Sequence, residues 1–258
     1  MPVLRPIPCA AAALLALATA PALAHADAAV SLLYASSVVT HPYHWDTQGA
    51  QFDIVADPVA CADSVVVRLD DGSGVTDLPA TRLDGDGKSP SLYRAYHSIS
   101  YTPHDLSFSI RCGSGATSHQ DDNGGSGYFL AASSGGFLQR GSVHNSGFAP
   151  TYTTGPGTTY TGTVVLRNLA YAKQVRIVYS TDGWRTVQTA DGTYAGPTWG
   201  YYSATPNPNR FGLEQWYFTL DLGSATTVEY AVSYTVAGVT YWDNNFTRNY
   251  RTTVTRLP

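Results

Sequence analysis

Apolar residues fall on every second position along much of this chain. Trp216, Phe218, Leu220 and Leu222 do so, and Val228, Tyr230, Val232, Tyr234 and Val236 follow in the same rhythm. Successive side chains of an extended strand point to opposite faces, so a period of two marks strands that bury one face. Leu106, Phe108, Ile110 and Cys112 repeat the pattern in the first half. Asp53–Ala56, Val65–Leu69, Thr163–Leu166 and Gln174–Ser180 are shorter strand candidates, separated by the Gly, Asp, Asn and Pro clusters that turns require. A helical period is hardly present. Composition agrees: Lys and Glu occur twice each in 258 residues, and charged residues make up 13 %, while aromatics reach 12 % with 18 Tyr and 5 Trp. That disfavours coiled coil and long helices, which need Glu, Lys, Leu and Ala, and charge-driven disorder, which lacks aromatics. The expectation is an all-β chain of antiparallel sandwiches.

The two halves overlie each other. Asp53–Leu69 matches Thr163–Tyr179 without a gap, with Val55/Val165, Ala60/Ala170, Ala62/Ala172 and Val65/Val175 identical. Leu106–Tyr128 matches Val228–Tyr250, where Asp121/Asp243, Asn123/Asn245 and Tyr128/Tyr250 coincide. The offset grows from 110 to 122, which places 12 extra residues in the aromatic loop Gly192–Gly212. Two similar domains are expected, at 27–131 and 137–258, with 132–136 as a linker in the small-residue stretch Ala131–Gly136.

Arg5, the apolar stretch Ala10–Ala22 and small residues before Ala24 and Ala26 read as a signal peptide over 1–26, cleaved after Ala24 or Ala26. The mature chain is expected to be secreted or periplasmic, with no membrane span. Two cysteines then remain, Cys61 and Cys112. They form either one disulfide, as an even count in an exported chain suggests, or two separate buried thiols. Net charge is −4 and no basic run occurs, so nucleic acid is not an expected partner.

Catalytic chemistry finds little support. Glu214 and Glu229 are the two glutamates, the aspartates lie mostly in turns, and no motif singles out a facing carboxylate pair. His41-x-x-His44 on a loop is a weak metal pattern. No catalytic residue, metal or cofactor is assigned. One enzymatic alternative rests on cleavage after Ala24, which would expose His25 as an N-terminal ligand of a copper-dependent polysaccharide monooxygenase. Another alternative is an exported adaptor whose first domain binds a further protein.

The second half carries Asn168-Leu-Ala-Tyr-Ala-Lys173, Val175-Arg-Ile-Val-Tyr, Asp182-Gly-Trp184 and Tyr241-Trp-Asp-Asn-Asn245, ending in Asn249-Tyr250. In that order and spacing, residues 160–252 resemble carbohydrate-binding modules of family 21, the starch- and glycogen-binding modules of fungal glucoamylases and glycogen-targeting phosphatase subunits. The first half resembles them only through the second, as a degenerate copy. The resemblance implies two tandem immunoglobulin-like β-sandwiches, no catalysis, and binding of α-1,4-glucans. It assigns one site to Trp184 and Trp242 as stacking rings, with Asn244 and Asn249 bonding hydroxyls. It assigns a second to Tyr171 and Tyr194 as rings with Lys173 as a donor.

The residue types suit that ligand. A sugar offers an apolar C–H face and a rim of hydroxyls, which flat aromatics and short polar side chains complement. Trp184 follows an Asp-Gly turn and is expected at a hairpin tip. Trp242 and Tyr241 are strand neighbours and must face opposite ways. Ala231 stands where some relatives place another stacking Tyr, so Trp199, Tyr201 or Tyr202 from the extended loop are candidate substitutes. The first copy lacks the ligand groups: Cys61 overlies Tyr171, Asp63 overlies Lys173, Gln120 overlies Trp242, Asp122 overlies Asn244 and Gly127 overlies Asn249.

Overall fold

A computed structural model describes residues 29–42, 44–83, 89–113, 118–148, 152–153 and 157–256. The expected signal peptide and His25 lie outside the described residues. The described residues form strands and turns, without helix.

The first half contains β1 (Val30–Thr40), β2 (Thr47–Ala56), β3 (Val65–Asp70), β4 (Val75–Pro79), β5 (Thr81–Arg82), β6 (Ser91–Ser100), β7 (Leu106–Cys112), β8 (His119–Asp121), β9 (Tyr128–Leu130) and β10 (Gly135–Leu138). The second contains β11 (Val143–Phe148), β12 (Tyr152–Thr153), β13 (Thr158–Arg167), β14 (Lys173–Ser180), β15 (Gln188–Asp191), β16 (Thr193–Tyr194), β17 (Leu213–Gly223), β18 (Thr227–Val236), β19 (Val239–Asp243), β20 (Tyr250–Thr253) and β21 (Thr255–Arg256). The sheet order in the first half is β10-β1-β2-β6-β5 facing β4-β3-β7-β8, with β9 also on β7. In the second it is β11-β13-β17-β16 facing β15-β14-β18-β19, with β20 also on β18. Apart from β10, which extends the first sheet, the strand orders are the same. The short strands β12 and β21 pair in parallel.

The alternating residues fill two cores. Phe52, Ile54, Val67, Leu69, Leu106, Phe108 and Ile110 meet in the first, and Tyr160, Val164, Ile177, Phe218, Leu220, Tyr230, Val232 and Tyr234 in the second. Cys61 and Cys112 are disulfide-bonded, with Cα atoms 5.1 Å apart. The bridge ties the loop after β2 to the end of β7.

The identities shared by the halves do the same work in each. Tyr128 donates its hydroxyl to Asp121 at 2.8 Å, and Tyr250 donates to Asp243 at 2.8 Å. Each aspartate also accepts a backbone N–H from the first strand of its own half, Leu32 at 2.7 Å and Asn145 at 2.6 Å. Asn123 Nδ2 donates to the Gly127 carbonyl, as Asn245 Nδ2 donates to that of Asn249. Phe108 stacks on Tyr128 as Tyr230 stacks on Tyr250. One carboxylate–tyrosine clamp thus closes both sandwiches.

The halves do not hang on a free linker. Ser134, Gly135 and Gly136 are buried, and Gly135–Leu138 pairs with β1 rather than forming a loose connection. A buried polar seam lies just beyond. Arg94 holds Asp53 through two bonds of 2.5 and 2.7 Å, and His144 Nε2 meets Asp53 Oδ2 at 2.6 Å. His144 Nδ1 lies 3.3 Å from Asp243 Oδ2, so one imidazole spans carboxylates from both halves. Burial opposes a charge on His144, but its bonds to Asp243 and Asp53 prevail and push its pKa from 6.5 up to about 9. Asp53 and Asp243 are held below the usual carboxylate range: burial pulls the other way, but Arg94 with His144 overcomes it for Asp53, and His144 does so for Asp243.

The extended loop completes the join. Trp199 is 2 % exposed and packs with Tyr34, Leu138, Val165 and Leu213. Ser133 and Thr205 hydroxyls lie 2.6 Å apart, and Asn209 Nδ2 donates to the Gly136 carbonyl at 2.6 Å. Trp199 is therefore not a spare stacking ring: its apolar bulk is used between the halves. Tyr201 and Tyr202 remain exposed and form an edge-on pair with centroids 4.4 Å apart.

Candidate functional site

The outer face of the β15-β14-β18-β19 sheet presents two indoles. On β18, Val228, Tyr230, Val232 and Tyr234 point into the core, so Glu229, Ala231 and Ser233 point out. Trp242 pairs with Ser233 across the strands and is 55 % exposed. Its neighbour Tyr241 pairs with Tyr234 and stacks on it at 5.8 Å. The alternation expected of these two residues is what the register produces.

Trp184 sits in the turn between β14 and β15, half-buried, with its indole N–H donating to Glu229 Oε2 at 2.7 Å. The β18 residues beside the two indoles, Glu229 and Ser233, are four apart, a span of roughly 13 Å in a strand. Trp184 has φ of 66°, a left-handed conformation unusual for a bulky residue. The turn enforces it: Ser180 Oγ accepts the Trp184 N–H, and Asp182 accepts the backbone N–H and hydroxyl of Thr186. Those bonds from Thr186, with one from Ser180, draw the Asp182 pKa down to about 2.

Beside Trp242 the turn 244–249 is shaped like its counterpart in the first half. Asn244 Oδ1 accepts the Thr247 N–H at 2.9 Å, as Asp122 Oδ1 accepts that of Gly125 at 2.8 Å. The Asn249 N–H donates to the Asn244 carbonyl at 2.7 Å. The contrast lies in residue choice. Phe246, Thr247 and Asn249 have φ of 57°, 74° and 60°, whereas the overlying positions are Gly124, Gly125 and Gly127, at 67°, 89° and 71°. Glycine adopts this region freely, while a side chain there costs on the order of 1 kcal/mol. The second half therefore keeps three side chains where its backbone favours none.

The residues expected at a second site fall on another surface. Tyr171 is fully exposed on the loop before β14. The Lys173 side chain is 4 % exposed, and its ammonium donates to Asn168 at 2.6 Å and Glu214 at 2.8 Å. Glu214 Oε2 also accepts the Trp216 indole N–H at 3.0 Å, and Trp216 meets the Tyr194 ring edge-on at 5.9 Å. Tyr194 is 39 % exposed and bonds the Asn207 carbonyl. Lys173, Glu214, Trp216 and Tyr194 form one connected set, with Lys173 beneath the surface rather than extended into solvent. No direct contact joins Tyr171 to Tyr194 among the described residues. Trp216 and Glu214 were not expected at this surface. Trp216 packs against the second core, as its alternation predicts, while its cross-strand pairing with Tyr194, which ties it to this surface, has no local signal.

Comparison with known proteins shows what the second half is similar to. Residues 149–253 match the family model of the carbohydrate/starch-binding module, family 21. Over 90 residues the chain is 34 % identical to protein phosphatase 1 regulatory subunit 3E of Mus musculus, covering 34 % of this chain and 29 % of that one. Over 103 residues it is 28 % identical to glucoamylase 1 of Rhizopus oryzae, covering 39 % of this chain and 15 % of the relative. The match thus spans less than a third of either relative. Among solved structures, the starch-binding domain of Rhizopus oryzae glucoamylase, in complex with beta-cyclodextrin and maltoheptaose, aligns over 46 % of this chain and 98 % of its own, at 24 % identity and a TM-score of 0.33. Residues 149–253, less than half of the chain, are thus similar to the carbohydrate/starch-binding module of family 21.

Proposed function

We propose that this chain is an exported, non-catalytic α-glucan-binding protein of two tandem immunoglobulin-like domains, 27–131 and 137–258. Its second domain holds starch- or glycogen-type chains at Trp184 and Trp242, with Asn244 and Asn249 bonding hydroxyls. The observation that carries this reading is the outer sheet face, where an indole 55 % exposed adjoins a turn that keeps side chains in a glycine conformation. The Oδ1 of Asn244 belongs to the turn, which leaves its amide N–H groups for a sugar. Tyr171 and Tyr194 form a second contact surface, and Lys173, with two donors committed, braces it and keeps one N–H to offer.

The carboxylates support a binding role. Glu214 is engaged by Lys173 and Trp216, and Glu229 by Trp184 and Arg251. The disulfide supports export, because such bonds persist in oxidising compartments.

Trp242→Ala tests the site. A fully covered Trp contributes about 250 Å², of which a sugar on one face of a half-exposed ring covers roughly 70 Å². At about 25 cal/mol per Å² this is worth about 1–2 kcal/mol, or roughly 5- to 30-fold in Kd for maltoheptaose by calorimetry. Unchanged affinity in both Trp242→Ala and Trp184→Ala variants would overturn the assignment.

A further inference from the structure

Trp242 and Asn244 also border a cleft of about 230 Å³ between the two halves. Its opposite wall includes Leu33 and Leu92 of the first half, and Arg140 and Phe246 line it beside them. We propose that this cleft is a further glucan subsite, so that the first domain contributes a wall to the sugar-binding groove. The inference rests on the Trp242 site described above and extends it.

Four observations lead there. The cleft is continuous with the exposed indole, so a chain lying on Trp242 and growing away from Trp184 meets the first half at once. In the other direction the outer sheet face carries Ala231 and its cross-strand neighbour Val178 before Glu229, and no aromatic ring. The lining suits a neutral sugar: Leu33 and Phe246 present apolar surface for C–H faces, while Asn244 and Arg140 supply donors. Arg140 has no hydrogen-bond or ion-pair partner among the described residues and is only partly exposed, so its guanidinium is available to hydroxyl oxygens. The charges of His144 and Asp243, also at the cleft, are already matched through Asp53 and Arg94.

Phe246 is the most telling member. It stands at φ 57° where the first half has Gly124 at 67°. The Arg248 guanidinium lies 5.7 Å from its ring centroid and donates to the Pro90 carbonyl, across the join between the halves. The strained side chain, though still 36 % exposed, is thus held at the cleft by Arg248.

Calorimetric titration of the full mature chain with maltotriose and maltoheptaose tests the proposal, using Arg140→Ala, Phe246→Gly and Trp242→Ala. Phe246→Gly relieves a left-handed conformation and is expected to melt within a few degrees of the parent. Arg140→Ala and Phe246→Gly should each weaken maltoheptaose about 3- to 10-fold and maltotriose less than about 2-fold. Trp242→Ala should weaken both. Maltoheptaose affinity unchanged in both cleft variants, while Trp242→Ala still weakens binding, would overturn the subsite and leave the Trp242 site standing. Equal losses on the short and long sugars in the cleft variants would also overturn it. No effect of Trp242→Ala would remove the underlying reading itself.

Discussion

Asp53→Asn should be among the most damaging single substitutions in this chain, although residue 53 lies outside the family 21 segment. The carboxylate is fully buried and meets Arg94 through two bonds, His144 through one and Gln51 through another at 3.0 Å. An amide of the same shape removes the charge and turns one oxygen into a donor that faces donors. Arg94, 4 % exposed, is then left buried without its carboxylate. His144 can relieve its own share by losing its proton, but arginine cannot. Breaking a buried pair on one side costs about 3–5 kcal/mol, which corresponds to roughly 6–20 °C in Tm for a chain of this size. Because the seam joins the halves, the loss should also divide a single cooperative transition into two. Scanning calorimetry reads both quantities. A Tm shift below about 3 °C with one undivided transition would refute the reasoning, since it would mean that Arg94 regains solvent or another partner at little cost.

Three further outcomes follow from the same structure. The seam should lose strength on both sides of neutrality. His144, raised from 6.5 to about 9, contributes stability that is full below 6.5 and lost as pH rises through about 9; Asp53 and Asp243, held low, contribute above the usual carboxylate range and lose it as they protonate in acid. Chemical denaturation across pH should show that plateau in the parent, and His144→Gln should lack its alkaline decline. Cys61→Ala with Cys112→Ala, which opens a 51-residue separation, should lower stability by about 2–4 kcal/mol, and equal urea midpoints would contradict this. Tyr241→Ala should destabilise the fold by about 2–4 kcal/mol through lost packing on Tyr234, whereas Trp242→Ala should leave the melting curve almost unchanged.

What could be read from the sequence was whatever depends on local periodicity. Strands β2, β3, β7, β13, β14, β17 and β18 were visible because each has one face in a core, and the opposed directions of Tyr241 and Trp242 followed from the same rule. Asp121/Asp243 and Tyr128/Tyr250 were visible as identities but not as a clamp, because their bonds become meaningful only when β8 lies beside β7 and β19 beside β18. The seam was illegible. Asp53 and Arg94 are 41 positions apart, Asp53 and His144 are 91 apart, and nothing in the local pattern distinguishes these polar residues from surface ones. The loop 192–212 misled for a related reason. An aromatic-rich insertion beside a sugar module suggests more stacking surface, yet Trp199 is used as core between the halves. Lys173 was expected as a donor at the second site; that the buried Glu214, whose position depends on β17, holds its ammonium beneath the surface has no local signal.

The central claim is that the outer face of the second sandwich binds α-glucan chains, and a depletion assay addresses it most directly. The purified chain is incubated with insoluble starch, with glycogen retained behind a size-exclusion membrane, and with cellulose as the β-linked control, while soluble reducing ends are followed. The expected result is saturable loss of protein to starch and glycogen, none to cellulose, little dependence on salt because the ligand is neutral, and no release of reducing ends. Protein that stays in solution with both α-glucans, or that releases sugar from them, would contradict the account.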